Sequence, residues 1–350
     1  HTEDYNMSIK DWSGGIITKN QVTPSGPYQK STASGVWTLD QAYSYTKQGI
    51  WPNADGGAIP IAVNAQASTI ANGYTFFNIV TTGNASIFGN LVYERGQMMG
   101  GVSSSTRGMW SGADGGSGAS NIEYITFATT GNGTLFGNLS GDYFQGAGAS
   151  NSTRGIWFMA NQSTPTNVIE YTTIASTGNT VDFGNSTANT RGKGAGATTT
   201  RVLCAMGAGP PIVNTVEYVT IASTGNASDF GDLTTTLKYK TAGFGSSTRV
   251  FFAGGGGSTG SATNIIEYFT AASTGNATDF GDLDNGLNAP AATSSSVKGI
   301  IMGGYGSSPF GPTNVIQYIT MASAGNALDW GDLTATQYGN RACSSGHGGL

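Results

Sequence analysis

The stretch TGNASDFGDL (224–233) decides the fold, because close variants of it recur along the whole chain. Each copy ends in an aromatic residue, a glycine and two further residues. The six aromatic residues are Phe88, Phe136, Phe183, Phe230, Phe280 and Trp330. The spacings between them are 48, 47, 47, 50 and 50 residues. Self-similarity at a fixed period of this size predicts an array of equivalent structural units.

Each unit is predicted to hold four short strands. An alternating apolar run such as NTVEYVTIAS (214–223) precedes the motif, and alternation at period two indicates a half-buried strand. The Gly-Asn step then predicts a tight hairpin turn, followed by a strand that carries the aromatic residue. Small residues and a second apolar run, as in STRVFFAGGGG (247–257), complete the unit.

Four antiparallel strands at this period are typical of a propeller blade. The order of features over residues 49–350 resembles the kelch repeat, with Phe usually in place of the kelch Trp. We therefore predict an all-β, six-bladed, kelch-like β-propeller. Its last strand, near Ala342–Ser345, is expected to pair with a strand at Gln48–Pro52. That pairing would join the two ends of the chain in one blade and leave no open edge.

Composition and charge exclude several classes of function. The formal net charge is −5 and only 10 % of residues are charged, so no basic face is available for nucleic acid. No apolar run approaches the length of a membrane span, so membrane insertion is not expected. Cys204 and Cys343 do not form a disulfide framework or a metal site, and we predict that both are small buried hydrophobic residues.

Charged residues recur within the repeat and suggest structural ion pairs. The predicted pairs are Arg107 with Glu123, Arg154 with Glu170, Arg201 with Glu217 and Arg249 with Glu267. The fifth unit has Lys298 and Gln317 at these positions, and the first unit is assigned Gln48 and Thr75. In adjacent strands the two positions are expected to be diagonal and within reach of each other. A ring of arginines that captures an anionic ligand, such as an acidic sugar, is the alternative.

Residues 1–48 lack the repeat and are interpreted as an N-terminal attachment segment with a short helix. Thr38 and Gln41 have the spacing of a capping box at the start of that helix. The segment TPSGPYQKSTASGVWTLDQAYSYTKQGIWP (23–52) and the phrases ASTGNATDFGDL (272–283) and SSSTRG (103–108) resemble virion fibre and structural proteins of marine tailed phages. The resemblance implies a location on the virion, after synthesis in the host cytoplasm. It also implies that the segment attaches a propeller, present as a homo-oligomer or in multiple copies, to other virion proteins.

No catalytic centre is expected. The two histidines, His1 and His347, lie at the ends of the chain, so a triad lacks a positioned base, and no cofactor or metal motif is present. The carboxylates follow the repeat, which suggests an architectural role.

Binding is expected in the loops between the second and third strands, because variable loops on a rigid frame are where recognition concentrates. Tyr305 and Phe310, with Asn161 and Gln162, are the candidates to stack on and hydrogen-bond a host-surface glycan or protein. The leading reading is a non-catalytic phage adhesin or decoration protein. A cell-associated scaffold for protein partners and a glycan-degrading propeller are the alternatives.

Overall fold

The computed structural model describes residues 37–47, 60–65, 73–113, 119–161, 166–208, 213–236, 239–256 and 261–350. One α-helix, α1 (Leu39–Lys47), lies within these ranges. Its capping box forms as predicted: the Thr38 N–H donates to Oε1 of Gln41 at 3.0 Å, and the Gln41 N–H donates to Oγ1 of Thr38 at 3.2 Å. Among the described residues, no helix reaches the length and apolarity that a membrane crossing would require.

The strands form six small antiparallel sheets, the blades, which confirms the predicted six-bladed β-propeller. Blade 1 contains β1 (Ile61–Ala65), β2 (Gly73–Asn78) and β3 (Ser86–Asn90). Blade 2 contains β4 (Gly100–Ser103), β5 (Arg107–Ser111), β6 (Asn121–Thr126) and β7 (Thr134–Asn138). Blade 3 contains β8 (Ala147–Ser150), β9 (Arg154–Phe158), β10 (Thr166–Thr173) and β11 (Val181–Thr190).

Blades 4 to 6 continue the same order. Blade 4 contains β12 (Gly194–Ala197), β13 (Arg201–Ala205), β14 (Thr215–Thr220) and β15 (Ser228–Asp232). Blade 5 contains β16 (Ala242–Gly245), β17 (Arg249–Ala253), β18 (Ile265–Thr270) and β19 (Thr278–Asp282). Blade 6 contains β20 (Leu287–Asn288), β21 (Ala291–Ser294), β22 (Lys298–Met302), β23 (Tyr305–Ser307), β24 (Phe310–Thr320) and β25 (Leu328–Gln337). The last strand, β26 (Arg341–Ser344), returns to blade 1.

The closing strand pairs with a different partner from the one predicted. β26 pairs antiparallel with β1, with Cys343 opposite Val63, so the predicted pairing with Gln48–Pro52 is wrong. Ile61, and not Gln48, therefore begins the second strand of blade 1. The shift leaves a connection of ordinary length, residues 66–72, before β2. The boundary at residue 48 stays a prediction, because residues 48–59 lie outside the described ranges.

The first strand of each blade lies innermost. These six strands contact their neighbours in a closed ring around a central channel, and the fourth strands form the outer rim. We call the end of the ring where second strands end and third strands begin the loop face. The opposite end, which carries the Gly-Asn connections, is the turn face.

The Gly-Asn motif holds neighbouring blades together, and it does not form the tight two-residue turn expected from the sequence. Residues 221–227, for example, separate β14 from β15. The asparagine side chain accepts a hydrogen bond from the preceding blade, as in the 3.0 Å contact from the Asn138 N–H to Oδ1 of Asn179. The same contact occurs at all six junctions, including the one from the Asp332 N–H to Oδ1 of Asn84 that joins blade 6 to blade 1.

The glycine after each aromatic residue allows this close approach. A Cβ placed on Gly137 would lie 1.9 Å from the carbonyl oxygen of Gly178 in the next blade, which is far inside van der Waals contact. The glycine is therefore required by packing between blades.

The hydrophobic core lies between the blades. Six buried clusters are present, and each combines residues from two neighbouring blades, including blades 6 and 1. The repeated aromatic residue packs edge-on against the tyrosine of the third strand in five blades, as for Tyr124 and Phe136 at 6.0 Å between ring centroids. Such pairs contribute about 0.5–1.5 kcal/mol beyond area burial. Trp110, Trp157 and both cysteines are buried, and burial raises the pKa of both thiols.

The residues after β26 cover the channel at the turn face. Nε2 of His347 lies 3.0 Å from the carbonyl oxygen of Ser103, and Nδ1 accepts the N–H of Gly349 at 3.1 Å. Since Nδ1 is an acceptor, Nε2 carries the proton and the ring is neutral. Burial lowers the pKa of His347 to about 4. Gly348 donates its N–H to Oγ of Ser294 at 3.4 Å.

Candidate functional site

The repeated arginines bind the next blade and not the predicted glutamates. Nη1 of Arg154 donates to the carbonyl oxygens of Ile221 and Ala222 at 2.9 and 3.1 Å, and its guanidinium lies 4.7 Å from the centre of the Tyr171 ring. Arg107, Arg201, Arg249 and Lys298 make the equivalent contacts, and Lys298 reaches Val80 of blade 1. These five cations therefore tie blades together around the turn face.

The repeated glutamates accept hydrogen bonds from the preceding blade. The Ser140 N–H donates to Oε2 of Glu170 at 3.3 Å, and the hydroxyls of Ser140 and Thr180 also bind this carboxylate. Equivalent bonds reach Glu123, Glu217, Glu267 and Gln317 from Val92, Thr187, Thr234 and Asp284. All five acceptors are buried.

The predicted ion pairs are therefore wrong, for a reason that lies in strand register. Arg154 is directly opposite Thr173, whereas Glu170 is directly opposite Trp157. The two charges lie three residues apart along the strand, and side chains an odd number of residues apart point to opposite faces of a sheet. Arginine consequently faces the next blade and glutamate faces the preceding one.

The ion pair that does form among the described residues involves an arginine outside the repeat. Nε of Arg95 lies 2.8 Å from Oε1 of Glu123, and both side chains are fully buried. Nη1 of Arg95 also donates to the carbonyl oxygens of Gly112 and Asn121. Burial raises the pKa of Glu123, and Arg95 opposes that shift. This pair joins the connection after blade 1 to blade 2, so its role is structural.

Two of the predicted binding residues meet at the loop face of blade 6. β23 and β24 form a hairpin in which Ser307 is opposite Phe310 and Tyr305 is opposite Pro312. The rings of Tyr305 and Phe310 lie 4.8 Å apart at 76°. Phe310 is 73 % exposed, so one apolar ring face is presented to solvent by a strand and not by a free loop.

A third ring, which the sequence analysis missed, completes this site. Tyr338 lies 5.6 Å from Tyr305 at 89° and is 42 % exposed. We call Tyr305, Phe310 and Tyr338 the aromatic corner. Tyr338 follows β25 in the connection to β26, and connections from fourth to first strands also end on the loop face. A search of those connections, in addition to the second-to-third-strand loops, would have found it.

Hydrogen bonds hold the hairpin beneath the aromatic corner. Oδ1 of Asn285 accepts from the Ser307 hydroxyl at 2.9 Å and from the Ser308 N–H at 3.3 Å, while Nδ2 donates to the Ser308 carbonyl at 2.9 Å. β20 pairs with β23 on the other side. Tyr305 and Phe310 therefore project from a three-stranded ribbon whose tip is fixed to the preceding connection.

One other predicted residue, Asn161, does not join the aromatic corner. Asn161 belongs to blade 3, on the far side of the ring from blade 6, and its Nδ2 donates to the Asp142 carbonyl at 3.0 Å. Gln162 lies outside the described residues. Of the four predicted candidate residues, the structure brings Tyr305 and Phe310 together, and it adds Tyr338 to them.

The described residues contain no group of three or more His, Cys, Asp or Glu side chains that could hold a metal ion. Comparison of the chain with protein-family models and with curated proteins finds no match. The aromatic corner is therefore the feature of the described residues that points to a ligand.

Proposed function

We propose that this protein is a virion structural protein of a tailed phage, part of a tail or capsid fibre, and that its propeller binds the host surface without catalysis. The observation that carries the proposal is the aromatic corner. A fixed ribbon holds Phe310 largely exposed beside Tyr305 and Tyr338, although exposing an aromatic ring to water is unfavourable.

Host-surface glycan is the ligand that fits this corner best. The C–H groups on one side of a pyranose ring pack on an aromatic ring, and the hydroxyls at its edge need donors and acceptors nearby. The tyrosine hydroxyls of Tyr305 and Tyr338 supply both. Tyrosine is one of the residues enriched among binding hot spots, where truncation to alanine costs about 2 kcal/mol or more.

An array of bacterial surface oligosaccharides tests the binding. We expect the full chain to bind a subset of the array, and Phe310→Ala to weaken that binding by about tenfold or more, which corresponds to ~1.4 kcal/mol. Leu328→Ala is the matched control, because Leu328 is 58 % exposed in the same blade but lies outside the corner. Equal binding by the two variants, or no binding by the full chain, would contradict the proposal.

Two further measurements test the remaining parts. Mass spectrometry of the bound oligosaccharide should show an unchanged chain length, since only a hydrolase shortens its ligand. Antibody against the chain should label intact particles in negative-stain images of the producing phage. Shortened product would favour the glycan-degrading alternative, and labelling of cells without particles would favour the cell-associated scaffold.

A further inference from the structure

The central channel contains a cation at a position that the other blades fill with glycine or alanine. Arg341, the first residue of β26, is opposite Ala65. In the other five blades, the equivalent residue is the one opposite the last residue of the second strand. These residues are Gly100, Ala147, Gly194, Ala242 and Ala291. Five blades thus show that the packing of the inner strand does not need a long side chain here.

Neutral partners alone hold the guanidinium of Arg341. Nε donates to the carbonyl oxygen of Met99 at 3.2 Å, and Nη1 donates to the carbonyl oxygen of Asn340 at 2.9 Å. Among the described residues, the ion pair within 4 Å joins Arg95 and Glu123. No described carboxylate therefore lies within 4 Å of the Arg341 guanidinium. Burial lowers the pKa of Arg341 to about 10, which is the expected effect of a charge without a counter-charge.

The surroundings of Arg341 are polar and lack negative charge. It borders a cavity of about 70 Å³ along the ring axis, and no Asp or Glu is among the described residues that line this cavity. The lining also includes Lys193, whose Nζ donates to the Met159 carbonyl oxygen at 2.9 Å, and His347 closes the turn-face end. A single water needs roughly 10–15 Å³ measured in this way, so the cavity has room for a small ion with part of its hydration shell.

We propose that the channel is a binding site for a small inorganic oxyanion, such as phosphate or sulfate, held by Arg341. Arg341 is only partly buried and borders the cavity, so a bound anion can reach it and supply the counter-charge that no carboxylate of the described residues supplies. The planar guanidinium presents its N–H groups in a fixed fork that suits the oxygens of a tetrahedral anion, and Nη2 of Arg341 donates to no atom of the described residues. A chain with a net charge of −5 otherwise repels anions, so the site is local to the channel.

Titration of the full chain with inorganic phosphate at constant ionic strength, adjusted with chloride, tests the site. We expect saturable binding of one phosphate per chain, a loss of affinity of at least tenfold in Arg341→Ala, and a smaller loss in Arg341→Lys. Alanine at this position is already present in three other blades, so the variant is expected to fold. Arg107→Ala is the control, because Arg107 lies at the turn face, and its phosphate affinity should equal that of the unaltered chain.

A crystal grown with selenate gives an independent measurement that needs no variant. The anomalous signal should show one peak in the channel within hydrogen-bonding distance of the Arg341 guanidinium. Equal phosphate affinity in Arg341→Ala and Arg107→Ala would overturn the proposal, as would a channel without an anomalous peak. Neither outcome bears on glycan binding at the aromatic corner.

Discussion

The opposed orientation of the repeated charges makes a quantitative prediction for Arg154 and Glu170. Replacing Arg154 by alanine removes two charge-assisted hydrogen bonds to carbonyls and one stacking contact with Tyr171. At a half-buried site each bond is worth about 1 kcal/mol and the stacking contact about 0.5–1 kcal/mol. We therefore expect Arg154→Ala to lower the free energy of unfolding by roughly 2–3 kcal/mol.

Replacing Glu170 acts at a different junction. Glu170→Ala removes a buried acceptor from the Ser140 N–H and from two hydroxyls. The main-chain donor cannot turn away, whereas the hydroxyls can, so we expect a loss of about 2–4 kcal/mol. Glu170→Gln should cost much less, because Gln317 already accepts the equivalent N–H, that of Asp284, at 2.8 Å in blade 6.

The double variant distinguishes this arrangement from an ion pair. The two side chains lie on opposite faces of the sheet and about 10 Å apart along it, so their effects should add to within ~0.5 kcal/mol. Denaturant unfolding of the four proteins, followed by tryptophan fluorescence and by circular dichroism to check for a single transition, gives the interaction energy. A favourable coupling above about 1 kcal/mol would refute the assignment of the charges to separate blade junctions.

Two other predictions concern the ring junctions and the end of the channel. Gly137→Ala should destabilise the fold by about 3 kcal/mol or more through overpacking, as measured by thermal unfolding. Gly178→Ala, with no atom within 4 Å of its Cβ, should change stability by less than ~1 kcal/mol in the same assay. Similar losses in both variants would contradict the packing of Gly137 against the next blade. Burial lowers the pKa of His347 to about 4. The stability that its neutral form contributes should therefore be complete above pH 6.5 and lost as pH falls towards 4. The loss should be at most ~3 kcal/mol, and smaller because the side chain is partly exposed. His347→Asn should flatten the pH dependence of unfolding in that window, and an unchanged slope would show that the histidine is not responsible.

Periodicity predicted the ring because residues that recur in every unit satisfy a packing requirement that all units share. The six aromatic residues, the glycine beside each and the alternating third strand are all explained by packing between blades. Register was the weaker part of the prediction. The offset between Arg154 and Glu170 along the sheet depends on which residues of β9 and β10 are opposite each other. The sequence does not fix this register, and the hydrogen bonds between the strands do.

The first strand of blade 1 shows the same limit. Blade 1 lacks both repeated charges, with Ile61 and Thr75 at those positions, so the marker used to align the other five blades was absent there. The apolar segment Ile61–Ala65 therefore lacks the marker that identifies the second strand in the other blades. This segment becomes a strand of blade 1 by pairing with β26 at the far end of the chain. That pairing depends on closure of the whole ring, so no local sequence signal identifies it.

Departures from the repeat are where function is most readily found, because six equivalent blades supply five internal controls for each position. A feature shared by most blades, such as the cation over the third-strand tyrosine in blades 2 to 6, is sufficiently explained by the junction that it stabilises. Arg341 has no such explanation, since glycine or alanine serves the same strand position elsewhere and its guanidinium borders the channel without a carboxylate partner among the described residues. The aromatic corner likewise depends on β20, β23 and Tyr338, which extend blade 6 beyond the four-stranded pattern of blades 2 to 5. The packing between blades requires neither the rings of the aromatic corner nor the side chain of Arg341. Substitutions at these residues should therefore change binding while leaving the propeller folded.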